Sequence, residues 1–517
     1  MTVKRLLVSL LCAGMAVSAP AQGYFNVRDF GAKGDGTTLD CEALNRAVDA
    51  ASAAGGGTVY FPAGVYPSFS IRLRDNIRLY LDRGAVLKAA VPTEAQGYDE
   101  AEPNPSTYQD FGHSHWKNSL IWGIGLHDVT IEGFGLIDGS EGLSRGLERV
   151  ESIPKANKAI ALKECRGVTI RDISMSMCGH FALLLTGVDN LTVNNVTVDT
   201  NRDAFDIDCC SNVRISDCTV NSLNDDAIVL KSSYALGYAK STENVTITNC
   251  QVSGDDPGTL LDGTFGRSIE AAPDRDGPTG RIKFGTESNG GFRNITVSNC
   301  VFDRCRGLAL ETVDGAVIED INISNISMRD IYNSPFYIRL GNRARGPEGI
   351  PFSVIRRVKV SHVSVKNADC RYASMIFGLE GHLIEDVTFS DIHIQYKGGL
   401  TMDDVRNQTG VNDFFNRNVR DPRDPFDIPQ MEKGYPEPSS HGVLPVYGLL
   451  VAHARNVKFD RVVLETIEGD ARPAILLMDV DGARFTDVEV SQPLGGQPAL
   501  ELRDVRGLET RNCNFNR

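Results

Sequence analysis

One short pattern of alternating apolar and polar residues returns along most of the chain. Within each copy the alternation has the period of two that a β-strand requires. The tightest copies open at positions 167, 190 and 212, so they are 23 and 22 residues apart. Eleven segments carry the pattern, and they open at His127, Gly167, Asn190, Asn212, Asn244, Asn294, Asp320, Arg357, Asp386, Asn456 and Ala483. Amphipathic helices are nearly absent between the copies, which excludes helical crossovers between the strands.

Most copies continue through a polar pair, often Asn or Asp, into a second short strand such as Cys218-Thr-Val. A repeat of this length with several short strands, no helix and Asn at its turns is typical of one coil of a β-helix. The sequence therefore predicts an all-β fold, a right-handed single-stranded parallel β-helix, forming one catalytic domain over residues 22–517.

Three cysteines support this repeat. Cys218, Cys250 and Cys300 each follow the opening Asn of their copy by six residues. Residues in one row of neighbouring coils lie about 4.8 Å apart. We therefore expect a ladder of stacked thiols. Zinc ligation is disfavoured, because ligands in one row point in parallel and do not converge tetrahedrally.

The two ends of the predicted domain differ from the repeat. Residues 1–21 combine Lys4 and Arg5, an apolar run and an Ala-Pro-Ala cleavage signal, which predicts a signal peptide and a secreted or periplasmic protein. Residues 22–90 are interpreted as an N-terminal cap with a helix over 38–54 and first strands at 59–62 and 78–81. We expect long loops at about 93–118, 255–279 and 400–443, of which the first and last flank a groove and the last two close one end of it.

Charge and hydropathy exclude several partners. The chain has 53 Lys and Arg against 67 Asp and Glu, a net charge of -14, and no basic run. Nucleic-acid binding is therefore not expected. The segment after the first twenty residues contains no apolar stretch long enough to span a membrane. We expect a monomer that needs neither a cofactor nor a metal.

The densest acidic site suggests chemistry. Asp203 is 13 residues after Asn190, and Asp225 is 13 residues after Asn212, so their carboxylates are expected in one row about 5 Å apart. Asp226 adjoins this row. Like charges so close raise at least one pKa, leaving an acid beside a base, as glycosidic cleavage requires. Asp-Asp is also a common turn dipeptide, and clustered carboxylates can equally bind calcium.

At this point the chain resembles the polygalacturonase family, glycoside hydrolase family 28. The motifs that carry the resemblance are Phe25-Asn-Val-Arg-Asp-Phe-Gly-Ala-Lys-Gly-Asp-Gly, Gly55-Gly-Gly-Thr-Val-Tyr-Phe-Pro, Gly135-Leu-Ile-Asp-Gly and the acidic cluster. The resemblance implies that Asp225 is the general acid, that Asp203 and Asp226 position and deprotonate water, and that the anomeric centre is inverted. Asn201 matches the first residue of the family's Asn-Thr-Asp motif, with Arg202 in place of threonine.

Departures from the family concern substrate binding. The family's Gly-His-Gly motif has no counterpart, and His180, 13 residues after Gly167, is a candidate substitute; Asp206 is a further candidate contact. The family's Arg-Ile-Lys signature appears one coil early, as Arg281 and Lys283, while Ala309 and Glu311 stand in its usual place. Either these two cations reach the same place, or cations of the next coil do so, namely Arg339, Arg343 and Arg345, or the sugar is not a uronate.

The sequence thus predicts a glycoside hydrolase whose partner is plant cell-wall pectic glycan, of galacturonan or rhamnogalacturonan type. Two alternatives stay open at this stage. One is a polysaccharide lyase on the same fold, which would need calcium and an Arg or Lys base. The other is a non-catalytic glycan-binding β-helix.

Overall fold

The structure, a computed structural model, describes residues 23–105, 108–146, 154–269, 277–411, 419 and 421–516. The predicted signal peptide lies outside the described residues. In the described part of the chain, no helix is long and apolar enough to cross a membrane.

Parallel strands dominate the fold. The first coils contain β1 (Gly23–Asn26), β2 (Gly57–Phe61), β3 (Gly64–Ser68), β4 (Ile71–Arg72), β5 (Ile77–Leu81), β6 (Ala85–Ala89), β7 (Ile121–Ile124), β8 (His127–Gly133) and β9 (Leu136–Asp138). The central coils contain β10 (Lys158–Lys163), β11 (Arg166–Arg171), β12 (Ser174–Ser176), β13 (Phe181–Thr186), β14 (Asp189–Asn194), β15 (Thr197–Thr200), β16 (Phe205–Asp208), β17 (Ser211–Ser216), β18 (Thr219–Ser222), β19 (Ile228–Ser232), β20 (Thr242–Thr248), β21 (Gln251–Ser253) and β22 (Ile282–Ser288). The last coils contain β23 (Phe292–Asp303), β24 (Arg306–Thr312), β25 (Val317–Arg329), β26 (Tyr332–Leu340), β27 (Val354–Ala368), β28 (Ser374–Phe377), β29 (Ile384–Gly398), β30 (Leu449–Glu468), β31 (Ile475–Val490) and β32 (Leu500–Arg511).

Strands of successive coils pair in parallel, and β10, for example, pairs with β7 below it and β13 above it. This is the predicted parallel β-helix. Its turns explain the recurrent Asn of the repeat, because Asn190, Asn212, Asn244 and Asn294 all have φ between 54° and 57°. Asn tolerates this left-handed conformation better than most residues.

Two helices accompany the strands: α1 (Cys41–Ala53) and α2 (Met402–Asn407). The predicted N-terminal helix is confirmed by α1, which buries Leu44 and Val48 against the first coil and so covers its open end. The predicted first strands at 59–62 and 78–81 are confirmed as β2 and β5. α2 is a short helix within the region expected to be a loop.

The cysteine ladder is confirmed. Cys218, Cys250 and Cys300 are buried, and their thiols interact with one another along the axis. The eleven cysteines of the described residues are all free thiols.

One face of the β-helix carries the site. We call it the site sheet, formed by β4, β7, β10, β13, β16, β19, β22, β24, β26 and β28. Alternate residues of each strand point into the core, as Ile207 and Leu230 do, and their neighbours point outward. Strand register aligns one outward column, which runs through Ala161, Leu184, Asp206, Val229, Lys283, Ala309, Tyr337 and Met375.

Candidate active site

Three aspartates meet above the middle of the site sheet. Carboxylate oxygens of Asp203, Asp225 and Asp226 lie within 4.8 Å of one another, which confirms the expected spacing. The predicted row is wrong by one residue, however. The backbone carbonyl of Asp203 accepts from Ala182 at 3.1 Å, and the equivalent acceptor one coil on is Asp226, bound by Ala204 at 3.1 Å. The connection from β18 to β19 is one residue longer than that from β15 to β16, which brings both acidic neighbours beside Asp203.

The cluster faces a cavity of about 310 Å³. Its walls come from the site sheet, from the turns above it and from two of the predicted loops. The lining residues are Asp110, His113, Arg202, Asp203, Asp225, Asp226, Lys231, Lys283, Thr286, Glu287 and Tyr435. The loops expected at 93–118 and 400–443 therefore both contribute to the site.

Two cations hold Asp226 in its ionised form. The Arg281 Nε atom donates to Asp226 Oδ1 at 2.9 Å, and Lys283 Nζ lies 3.2 Å from Asp226 Oδ2. Burial alone would raise the pKa of Asp226, but Lys283 and Arg281 lower it below its usual value. Lys283 also donates to the hydroxyl of Tyr435 at 3.2 Å.

The structure shows from which coil these two cations reach the site. Lys283 pairs in register with Ala309, so Arg281 and Lys283 stand one coil before the place the family resemblance implies. Lys283 lines the cavity, whereas Arg281 is only 3% exposed and lies beneath it.

Asp203 has the opposite electrostatic environment. Burial raises the pKa of Asp203 well above its usual range, and the charge of Asp225 raises it further. Asp225 pairs with Arg202, whose Nη2 lies 3.1 Å from its Oδ2. The surroundings therefore favour the protonated form of Asp203 and the ionised form of its neighbour Asp226.

A second buried charge network supports the cluster. Lys231 Nζ lies 2.8 Å from Asp206 and 3.4 Å from Glu287. Burial raises the pKa of Asp206 to about 7 even though Lys231 opposes this shift. Asp206 was predicted to contact substrate, but its side chain is 0% exposed, so it lies under the cavity and binds Lys231 instead. The Asp206 side chain is short and starts on the sheet itself, so it does not extend beyond the neighbouring Lys231 into the cavity.

Two histidines lie beside Asp203. The Nε2 atoms of His113 and His180 are each 4.0 Å from Asp203 Oδ2. Burial lowers the pKa of both rings well below the usual value, so both are neutral. His180 stacks on Phe181 with ring centroids 4.3 Å apart and contacts Arg202 at 3.1 Å, outside the cavity lining, whereas His113 lines the cavity.

The remaining predicted site residues lie outside the lining. Asn201 accepts a hydrogen bond from Asn224 in the turns above the cluster. Glu311 is 0% exposed and faces Arg281 and Lys283 at 3.7 Å each, and burial raises its pKa to about 7.

Arg339 requires a correction. It was predicted to bind substrate, but it is 1% exposed and donates to backbone carbonyl oxygens of Gly378 at 3.0 Å and of Gln430. Its strand, β26, lies two coils beyond β22, under a polypeptide segment that covers it. Arg343 and Arg345 are occupied by acidic partners, Asp314 at 2.5 Å and Asp110 at 2.7 Å respectively.

The lining residues that received no role from the sequence include His113, Lys231, Glu287 and Tyr435. Strand alternation could have identified Lys231 as a site residue. It stands two residues beyond Val229, on the strand next to that of Asp206, so both side chains point outward. His113 and Tyr435 come from non-repeating segments, where strand periodicity gives no position.

A metal ion fits the cluster poorly. The triad of carboxylates has the donor type that calcium prefers. Arg202, Arg281 and Lys283 already lie within 3.2 Å of these carboxylates and would repel a divalent cation.

Comparisons with known proteins agree with the fold. Residues 24–254 match a family model described as rhamnogalacturonase A/epimerase, pectate lyase-like. A probable polygalacturonase of Vitis vinifera is 29% identical over 235 residues, covering 42% of this chain and 47% of that protein. Alginate lyase 7 of Azotobacter vinelandii is 31% identical over 190 residues, covering 35% of this chain and 20% of that protein. The chain thus spans about half, or less, of the length of these curated relatives.

Among solved structures, the family 28 exopolygalacturonase of Yersinia enterocolitica superposes with a TM-score of 0.61 at 15% identity. The alignment covers 94% of this chain and 78% of that one. At this identity the similarity shows the fold, a parallel β-helix, over nearly the whole chain.

Proposed function

We propose that the chain is a divergent member of the pectate-lyase-like β-helix superfamily and that it is a glycoside hydrolase acting on pectic polysaccharide or its oligosaccharides. The family match and the polygalacturonase relative support the substrate class. The signal peptide predicted over residues 1–21 would take the enzyme to a compartment where such glycans occur.

One observation carries the proposal. Inside one cavity, two cations favour the ionised form of Asp226, while burial and the charge of Asp225 favour the protonated form of Asp203, within 4.8 Å of it. Hydrolysis of a glycosidic bond needs this division, because one group must protonate the leaving oxygen and another must activate water.

The roles follow from these charges. Asp226 is the general base that deprotonates water. The proton for the leaving oxygen comes from the neighbouring pair, Asp203 and Asp225. The family resemblance assigns the acid to Asp225, whereas the resting electrostatics favour Asp203, and the titrations of the two groups, within 4.8 Å of each other, are coupled.

The stereochemical course is proposed from the resemblance, which implies inversion. In general, carboxyl groups about 6.5–9.5 Å apart accommodate a water molecule, and groups about 5–5.5 Å apart act by a covalent intermediate. The nearest carboxylate oxygens here, within 4.8 Å, do not by themselves favour inversion. Proton NMR of the first-formed product decides: the anomer opposite to that of the substrate is expected, and retained configuration would make one aspartate a nucleophile.

Lys283 is the cation best placed to meet a uronate carboxylate, because it lines the cavity beside Asp226. Arg281 supports it from below, and Glu311 partly neutralises both. The displacement of the Arg-Ile-Lys signature by one coil favours a rhamnogalacturonan-type substrate, in which uronates alternate with neutral sugars, over plain polygalacturonan.

The test is product analysis on polygalacturonan, rhamnogalacturonan and their short oligomers. Saturated reducing sugars are expected from the wild type, with or without chelator. Asp225→Asn should retain glycan binding and lose turnover. Absence of release from every pectic substrate would refute the proposed substrate class.

A lyase is the second candidate, since Lys283 and Tyr435 form a hydrogen-bonded pair beside the acidic cluster and one curated relative is an alginate lyase. Lysine and tyrosine are bases that can remove a proton next to a carboxylate. A lyase would give unsaturated products that absorb in the ultraviolet, and a calcium-dependent one would stop with chelator. If the protein is a glycan-binding protein without activity, the wild type should release no sugars from any substrate. The Asp225→Asn variant should then bind glycan as well as the wild type does.

A further inference from the structure

The outward column of the site sheet changes character twice along the axis. It is apolar at Ala161 and Leu184, carries charged side chains at Asp206 and Lys283 with Val229 between them, and is apolar again from Ala309 onward. Apolar residues on the outside of a coil are unfavourable in water unless another segment covers them. Each apolar stretch is in fact covered by a different segment of the chain.

The N-terminal cover is residues 111–116. Trp116 is completely buried on the sheet and packs with Ala161, Phe181 and Leu184 in a small cluster separate from the main core. Its indole Nε1 atom donates to Thr186 Oγ1 at 3.1 Å. The cover therefore occupies the outward face of β10 and β13, immediately before the acidic cluster.

The C-terminal cover is residues 428–446. Its apolar side chains Ile428, Leu444 and Val446 belong to a second separate cluster, which includes Tyr337 and Met375 of the outward column. It occupies the outward face of β26 and β28, beyond the acidic cluster.

Buried polar contacts fix this second cover. Glu437 is 1% exposed and lies 2.7 Å from Arg306 Nη1, and Asn333 donates to it at 2.9 Å. His441 Nε2 lies 2.9 Å from the hydroxyl of Tyr337. Tyr435, in the same segment, is 40% exposed and forms the cavity wall.

The two covers bracket the cavity. His113 of the N-terminal cover and Tyr435 of the C-terminal cover both line it. On one side, Arg345 Nη2 also binds Asp110 Oδ1 at 2.7 Å, which joins the chain before the first cover to the loop after β26. A groove running along the axis is thus interrupted on both sides of the three aspartates.

From this arrangement we propose that the site is a pocket for the end of a glycan chain, so that the enzyme is exo-acting and releases short products from chain ends. This inference rests on the proposed hydrolase function. A polymer passing straight through the site would have to cross Trp116 and its neighbours on one side and residues 428–446 on the other. The cavity, at about 310 Å³, is at the small end of ligand pockets and suits a chain terminus.

The first experiment follows the products of wild-type hydrolysis over time. With polygalacturonan or rhamnogalacturonan, short sugars of constant length should appear from the start, while the viscosity of the polymer falls slowly relative to the reducing ends released. Early intermediate lengths with a rapid fall in viscosity would overturn the inference and leave the hydrolase intact.

The second experiment does not need turnover. Calorimetric titration with polymer fractions of two defined lengths should give the same number of protein molecules bound per chain, because each chain has one acceptable end. A number that rises with chain length would overturn the inference through internal binding. Absence of binding to both fractions and to the short oligomers would also overturn the inference of a chain-end pocket. Binding of one protein per chain without any hydrolysis would refute the hydrolase function and leave the chain-end pocket intact.

Discussion

At the scale of single residues, neighbouring groups of the same type are driven to opposite protonation states. Asp203 and Asp226 differ in which charges face them. Asp226 faces Arg281 and Lys283, whereas Asp203 faces Asp225 and two neutral histidines. Burial acts on both aspartates in the same direction, so the cations decide the difference.

The first prediction identifies the general acid. Loss of an acid is tolerated when the leaving group needs no proton, whereas loss of a base is not. Asp203→Asn and Asp225→Asn should therefore be compared with Asp226→Asn on a pectic oligosaccharide and on an aryl glycoside with an activated leaving group. We expect about 10²- to 10⁴-fold loss on the oligosaccharide for each variant and selective recovery on the aryl glycoside for the acid.

As a control, Asp217→Asn changes an exposed aspartate at a left-handed turn of the same coil and should act like the wild type. Equal recovery of Asp226→Asn on the aryl glycoside would contradict its role as the base.

The second prediction concerns pH. Lys283 lowers the pKa of Asp226, so the base stays ionised, and the enzyme active, as the pH falls. Removing the cation in Lys283→Met raises that pKa, and the acidic limb of kcat/KM should move to higher pH. Lys240→Met, which removes a cation bound to Asp189 at 2.9 Å away from the cavity, is the matched control. If the acidic limb does not move in Lys283→Met, the ionisation of Asp226 does not control kcat/KM.

At the scale of elements, the repeat and its turns were readable from the sequence. Strand period, repeat length and the opening Asn predicted the parallel coils and the cysteine ladder, because each depends on local rules repeated many times. The one-residue offset between Asp203 and Asp225 was not predicted. It arises from the length of a single connection, which the average repeat does not contain.

The third prediction tests the turns. Asn244 has φ 55° and shares side-chain hydrogen bonds with Asn212 and Asn294 at 3.3 and 2.8 Å. Asn244→Ala places a Cβ in the left-handed region without those bonds and should lower the free energy of unfolding by roughly 1–2 kcal/mol. Asn244→Gly removes the same bonds without the steric cost and should be less destabilising. Denaturant unfolding measures both, and equal losses would contradict a conformational role for this Asn.

At the scale of the whole molecule, the covers bring residues that are far apart in sequence together at the cavity. His113 and Tyr435 reach one cavity from segments more than 300 residues apart, which no periodicity in the sequence could reveal. Arg339 was assigned to substrate for the same reason: its strand phase is outward, but the C-terminal cover lies over it.

The fourth prediction concerns the anchoring of that cover. Glu437→Gln breaks the buried ion pair with Arg306 and removes one of the anionic groups near Arg281, and breaking a buried pair in this way costs about 3–5 kcal/mol. The melting temperature should fall clearly, as calorimetry can show. Glu432→Gln, at an exposed position of the same segment that bonds Asn342, should change it little. A melting temperature unchanged by Glu437→Gln would mean that the cover is not held by this ion pair.

The most direct test of the central claim is hydrolysis of a pectic oligosaccharide in water enriched in ¹⁸O, followed by mass spectrometry. If Asp226 activates water, one heavy oxygen enters the newly formed reducing end, and the products are saturated. Asp226→Asn should abolish this incorporation. Cleavage that yields unsaturated products without heavy oxygen would contradict the account and identify the enzyme as a lyase.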